Sequence, residues 1–250
     1  MLEILPIPAF TDNYIWLLHN GTHAVVVDPG DAAPVIKVLT NQSLTLDAIL
    51  ITHHHSDHID GVSELIERYH PTVYAPEKER FNFPHIPVSE NDKIQLQCIE
   101  LEFSVMDIPG HTLGHVAYYG ANHLFCGDTL FGAGCGRLFE GTPEQMFDSL
   151  QRLAKLPRHT AVYCAHEYTE HNLRFAHMLD TNNKAIVKRQ QDAAAKRAAN
   201  LPTLPSTIAL ELETNPFLRC DDIAIKAVTG LQDASALAVF TAIRKMRNSF

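Results

Sequence analysis

The stretch LDAILITHHHSDHIDG, residues 46–61, constrains this chain more than any other. An apolar run ends, and four histidines and two aspartates follow within ten residues. The run AILI reads as a buried strand, so the cluster leaves a sheet edge at a fixed place. In extended chain, side chains two apart share a face. His53, His55 and Asp57 can therefore converge while His54 points away. Asp57 and His58 are adjacent and diverge, which lets them serve a different ion. Imidazole and carboxylate together suit Zn, Mn or Fe. A solvated histidine-rich turn requires neither the preceding strand nor the HxHxDH order.

One cluster rarely completes a metal site, and further ligand-type residues recur in a similar setting. His111 and His115 stand in GHTLGH, after a strand that ends at Asp107-Ile108-Pro109. Asp128 stands in FCGDTLF and His166 in CAHEYT. Each follows an apolar strand, so all are expected at one end of a sheet.

The intervening sequence supplies strands and helices in mixture. YIWLLHNGTHAVVVDPG predicts a hairpin around Asn20-Gly21. Residues 31–39 predict a helix in which Pro34 fits only near the first turn. GVSELIERYH has helical spacing, KIQLQCIELEFSVMDIP predicts two strands, and HVAYYGANHLFCGD predicts a hairpin turning at residues 120–122. PEQMFDSLQRLAKL predicts a helix with Pro143 in its first turn, and AVYCAHE a last strand. Beyond residue 166 strand signals almost vanish, and 168–180, 184–200 and 231–248 are spaced as helices. The expected division is a mixed α+β domain over 1–165 and a smaller all-helical domain over 166–250.

Bulk properties exclude several functions. The formal charge of −9 argues against a nucleic-acid partner. No uninterrupted apolar run exceeds five residues, too few to span a membrane. The N-terminus lacks a basic leader and a long apolar stretch, and five scattered cysteines form no CxxC pair. Those features predict a cytoplasmic protein with reduced thiols, and nothing demands more than a monomer. The charge is uneven, at −11 over 1–165 and +2 over 166–250. A relatively basic tail is compatible with an anionic small molecule, and equally with a differently solvated helical surface.

THHHSDH, PGHTLGH, GDTLF and CAHEYT together resemble the metallo-β-lactamase superfamily. The HEYT element, AGCGRLFEGT and the helical tail narrow the resemblance to its hydroxyacylglutathione hydrolase (glyoxalase II) family. The resemblance implies a four-layer αββα sandwich followed by a helical substrate-binding domain. It implies two divalent ions, zinc first, with iron or manganese as alternatives. One ion would take His53, His55 and His111, the other Asp57, His58 and His166, with Asp128 bridging. His54 and His115 fall at positions not used as ligands. Asp28 and Asp60 look like residues that orient the ligands.

Such a pair of ions, roughly 3.5–4 Å apart, shares a hydroxide that attacks a thioester carbonyl, so Asp57 and Asp128 are the candidate catalytic residues. The implied substrate is an S-(2-hydroxyacyl)glutathione, typically S-D-lactoylglutathione. Its cleavage to glutathione and D-lactate is the second step of methylglyoxal detoxification. Arg137, Phe139, Tyr168, Arg244 and Arg247 match the substrate-binding positions, with Phe139 where Tyr is frequent and Arg247 where Lys is frequent. Asn172 lies one turn beyond Tyr168. The rival readings are an iron-dependent persulfide dioxygenase or another hydrolase of the same fold, and a non-catalytic metal-binding protein.

Overall fold

The computed structural model describes residues 2–250. The chain divides into two compact units, residues 1–107 with 113–127, and residues 108–112 with 128–250. Among the described residues no helix is long and apolar enough to cross a membrane.

The first unit opens with strands β1 (Glu3–Ala9), β2 (Asn13–His19) and β3 (His23–Val27), helix α1 (Ala32–Gln42) and strand β4 (Thr45–Leu50). A single turn α2 (Ser56–Ile59), helix α3 (Val62–Tyr69) and strands β5 (Thr72–Pro76) and β6 (Ile86–Val88) follow. These six strands form a mixed sheet in sequence order, antiparallel from β1 to β3 and parallel from β3 to β6. Strands β7 (Lys93–Leu96), β8 (Leu101–Asp107), β9 (Val116–Gly120) and β10 (His123–Gly127) make an antiparallel meander.

Every residue of β2 is buried, so the sheet is covered on both faces. Val35 and Leu39 of α1, with Val62 and Leu65 of α3, join Leu17, Val26 and Ile49 in one core. The meander reaches the sheet through Tyr118, whose hydroxyl donates to the Ile51 carbonyl at 2.6 Å. Burying each such Leu, Val or Ile is worth about 1.5–3 kcal/mol.

The turns are chemically specified. The Asn20 side chain accepts from the Thr22 and His23 amides. Asp31 caps α1 through the Ala33 amide at 2.9 Å, which admits Pro34 in the first turn. Ala121 and Asn122 both have positive φ, as the tight β9–β10 turn requires.

The second unit holds the short hairpin β11 (Leu130–Phe131) and β12 (Gly134–Cys135), helix α4 (Pro143–Ala154) and strand β13 (Ala161–Cys164). Helices α5 (Thr169–Leu179) and α6 (Lys184–Ala198), strand β14 (Ser206–Thr207), and helices α7 (Ile208–Thr214), α8 (Ile223–Thr229) and α9 (Ala236–Asn248) complete it. A Thr142/Gln145 capping box starts α4.

Residues 166–250 are thus not wholly helical, because β14 pairs antiparallel with β13. The helix expected over 231–248 starts later. Gly230 ends α8 in the left-handed region and Ser235 caps α9. Strands β1, β5 and β6 were not legible. Three prolines, Pro6, Pro8 and Pro76, interrupt two of them, and β6 is only three residues long.

Candidate active site

In the first unit the HxHxDH segment leaves the C-terminal end of β4, a parallel strand, where open α/β sheets carry their sites. Asp28, which follows β3, organises it. Its Oδ1 accepts the Thr52 amide and its Oδ2 the Thr52 hydroxyl, both at 2.7 Å. The Thr52 oxygen, its own proton so used, accepts from His53 Nδ1 at 3.0 Å. Asp28 Oδ2 also accepts from His58 Nδ1 at 3.0 Å. Both histidines are therefore held with Nδ1 protonated and Nε2 presenting a lone pair, the tautomer that binds metal.

His53 Nε2 lies 3.1 Å from His55 Nδ1, and Asp57 Oδ2 lies 3.6 Å from His58 Nε2. Tetrahedral ligands at about 2.0–2.2 Å from an ion stand about 3.3–3.6 Å apart, so the Asp57–His58 spacing suits shared coordination and the His53–His55 spacing is slightly shorter. Ligand atoms of Asp28, His53 and His58 also gather within 4.8 Å of one another. His54 turns away, with Nδ1 3.1 Å from the buried Glu79 carboxylate. His115 stacks on His53 at 4.6 Å. Asp60 is exposed at the end of α2.

In the second unit His111, Asp128 and His166 come together, all buried. Asp128 Oδ2 lies 3.4 Å from His111 Nε2, and its Oδ1 lies 3.3 Å from His166 Nε2. Each carboxylate oxygen faces a different histidine, an arrangement suited to bridging. His111 Nδ1 donates to the Arg137 carbonyl at 2.7 Å, which again frees Nε2.

His111 and Asp128 border a cavity of 290 Å³. His111, Asp128, Phe139, Tyr168, Arg137 and Arg247 are among its walls. Tyr168 stacks flat on His166 at 4.7 Å, and Phe139 meets His111 edge-on at 5.2 Å. Among the described residues no carboxylate pairs with Arg137, Arg244 or Arg247. Burial, and then the neighbouring Arg244 charge, hold the Arg247 guanidinium below its usual range. Unpaired cations in a cavity make an anion site.

The hairpin between Asp128 and Arg137 is clamped by helical residues. Asn215 donates to the Phe131 and Gly134 carbonyls, and Asn172 to the Gly132 carbonyl. The fully buried Glu211 accepts from the Ala133 amide at 2.8 Å and from Arg189 at 2.6 Å. A side chain at Gly134 would collide with Asn172. Arg244 donates to the Cys135 carbonyl at 2.8 Å and the Gly136 carbonyl at 3.3 Å. Arg247 donates to Asn172 Oδ1 at 3.1 Å.

The metallo-beta-lactamase superfamily pattern matches residues 9–166, and that of the hydroxyacylglutathione hydrolase C-terminus matches 167–250. A hydroxyacylglutathione hydrolase of Methylobacillus flagellatus is 58% identical over the whole of both chains. The chain belongs to the hydroxyacylglutathione hydrolase family. A second member, from Nitrosomonas eutropha, is 49% identical, again over the whole of both. Among solved structures the chain is similar to the BLEG-1 B3 metallo-beta-lactamase. Identity is 26% and the TM-score 0.66, covering 87% of this chain and 99% of that one. It is likewise similar to TTHA1623 in a di-iron-bound form, at 26% and 0.62, covering 86% and 100%. The fold is that of the metallo-β-lactamases with the family's helical C-terminal segment, and its histidine–aspartate clusters support a dinuclear metal site.

Family membership at this identity disfavours the persulfide dioxygenase reading. Several residues that hold the site were not legible in sequence. Asn13, Thr52 and Glu79 touch the HxHxDH segment. Thr52 alone carried a signal, by preceding His53. Glu211 and Asn215 act on residues about 80 positions away, a separation no local pattern reports.

Proposed function

We propose that the chain hydrolyses S-(2-hydroxyacyl)glutathione thioesters, S-D-lactoylglutathione foremost, to glutathione and the 2-hydroxy acid. It is a thioester hydrolase by family. The observation that carries the substrate is the second-unit cavity, where Asp128 and His111 share the walls with arginines that no carboxylate neutralises. Glutathione brings two carboxylates to such a wall.

In this reading His53, His55 and His111 would hold one divalent ion and Asp57, His58 and His166 the other, with Asp128 available to both. The ligand spacings within each unit and the Nε2 lone pairs support the assignment. Zinc suits this donor set, and iron and manganese are also accepted. Bound ions supply a water ionised near neutral pH and a Lewis acid for the carbonyl oxygen. Asp57 holds the proton of the attacking water. The water oxygen bonds to the acyl carbon, the C–S bond breaks and the thiolate departs. A thiol pKa near 8.5 lets it leave without a strong acid.

Arg137 and Arg247 receive the glutathione carboxylates, Tyr168 and Phe139 wall the thioester, and Arg244 fixes the backbone beneath them. Five free cysteines support work in the reducing cytosol.

The test is hydrolysis of S-D-lactoylglutathione by purified protein, with metal content measured on the same sample. Turnover with close to two ions per chain is expected. Metal-loaded protein without turnover would overturn the substrate assignment.

A further inference from the structure

The turn that carries Asp57 is poorly equipped to hold itself. Helix α2 is four residues long, and its N-cap His55 makes no side-chain capping bond. A helix of one turn is not self-supporting. Its anchors come from elsewhere in the first unit. A side chain at Gly30 would collide with the Asp57 backbone, so the turn packs directly on the β3–α1 loop. The Gly61 amide donates to the Pro29 carbonyl at 3.1 Å. His58 is tied to Asp28. None of these contacts fixes the Asp57 side chain, which remains 38% exposed.

Asn13 does touch it. Its Nδ2 donates to Asp57 Oδ2 at 2.9 Å and lies 3.5 Å from the Asp57 carbonyl oxygen. A carboxylate only accepts, so the amide nitrogen is the group that must face it. Asn13 is 7% exposed and is the first residue of β2, the strand buried along its whole length. It pairs in register with Ala9 across the tight β1–β2 connection, where Phe10 takes a φ of 51°. A donor rooted in a strand buried along its whole length thus grips a carboxylate on one of the shortest elements.

We infer that Asn13 is a positioning residue for Asp57. It holds one carboxylate oxygen so that the side chain presents a single orientation to the metal and the attacking water. The inference rests on the reading of Asp57 as a ligand. Partners of this kind that support a ligand change metal affinity or activity by about 10–100-fold when lost. The same contact selects against an acidic residue at position 13, which would set one carboxylate against another.

The experiment compares wild type, Asn13→Ala, Asn13→Asp, Asp57→Ala and the Asn13→Ala/Asp57→Ala double variant. Zinc affinity is read by competition with a chromophoric chelator, apo-protein melting by circular dichroism, and kcat and KM with S-D-lactoylglutathione. Asn13→Ala is expected to weaken zinc binding or lower kcat by about 10–100-fold, and Asn13→Asp by more. KM should stay within about twofold, and the double variant should bind zinc no worse than Asp57→Ala.

Wild-type zinc affinity and kcat in both Asn13 variants, with Asp57→Ala impaired, would overturn the inference. So would a fall in apo-protein melting with zinc affinity and kcat unchanged. Unimpaired zinc binding by Asp57→Ala would instead overturn the ligand reading, and the inference with it.

Discussion

Along residues 52–58 four of the proposed ligands, His53, His55, Asp57 and His58, lie on one short segment, whereas His111, Asp128 and His166 come from three separate segments. The loop is held by nearby polar groups on strand ends, chiefly Asp28, Thr52 and Asn13. The dispersed set depends on a hairpin clamped from a distance by Glu211, Asn215, Asn172 and Arg244. A contiguous motif needs only its rotamers fixed. A dispersed one needs its backbone fixed as well, and buried side chains from the helices do that. On the proposed reading, the helical segment therefore supports the metal site as well as the substrate pocket.

The largest break is expected at the shared ligand. Asp128→Ala should lose bound metal and reduce hydrolysis by more than the roughly 100-fold that loss of an outer partner costs. Metal analysis beside a rate measurement checks it, and full activity with one ion lost would remove the bridging role. Next in size, Glu211→Ala would strand buried Arg189 and the Ala133 amide, costing about 3–5 kcal/mol by denaturant unfolding. Metal content should fall with it, although position 211 is far from any ligand in sequence.

The arginines sharpen the comparison on a smaller scale. Arg247→Ala should raise KM by about 10–100-fold, as loss of a charged hydrogen bond does, with kcat little changed. Arg244→Ala should raise KM and also lower the melting temperature, because it removes the anchor of Cys135 and Gly136. Equal melting temperatures for the two variants would contradict that division. Phe139→Tyr should matter least, lowering KM by no more than about fivefold for one added neutral hydrogen bond. Residue 139 is 60% exposed, so water competes for that contact.

The metal motif was legible in part: His53 and His55 converge as alternation in extended chain requires, but Asp57 lies on the helical turn α2 and faces His58 instead of diverging from it. Asp28 as a support for the ligands came from the family resemblance alone, and the structure places its strand end beside that of β4 in the sheet. The hairpins announced themselves through Asn20 and Asn122, residues that suit tight turns. Asn13 gave no comparable signal, because an asparagine opening an apolar strand reads as an ordinary turn residue. The Glu211–Arg189 pair was hidden for another reason: a charge on a helix reads as solvent-facing until its burial is known.

Asp28 also has a φ of 53°, a left-handed conformation that costs an ordinary residue about 1–2 kcal/mol and glycine almost nothing. The chain thus stores strain at the residue that orients His53, through Thr52, and His58. Relief of that strain and ligation pull in opposite directions. Asp28→Gly should relieve that backbone strain but leave the Thr52 amide and hydroxyl and His58 Nδ1 without their acceptor, and zinc affinity compared with apo-protein stability measures both. Position 28 is thus where the ease of the backbone yields to the hydrogen bonds that the centre demands.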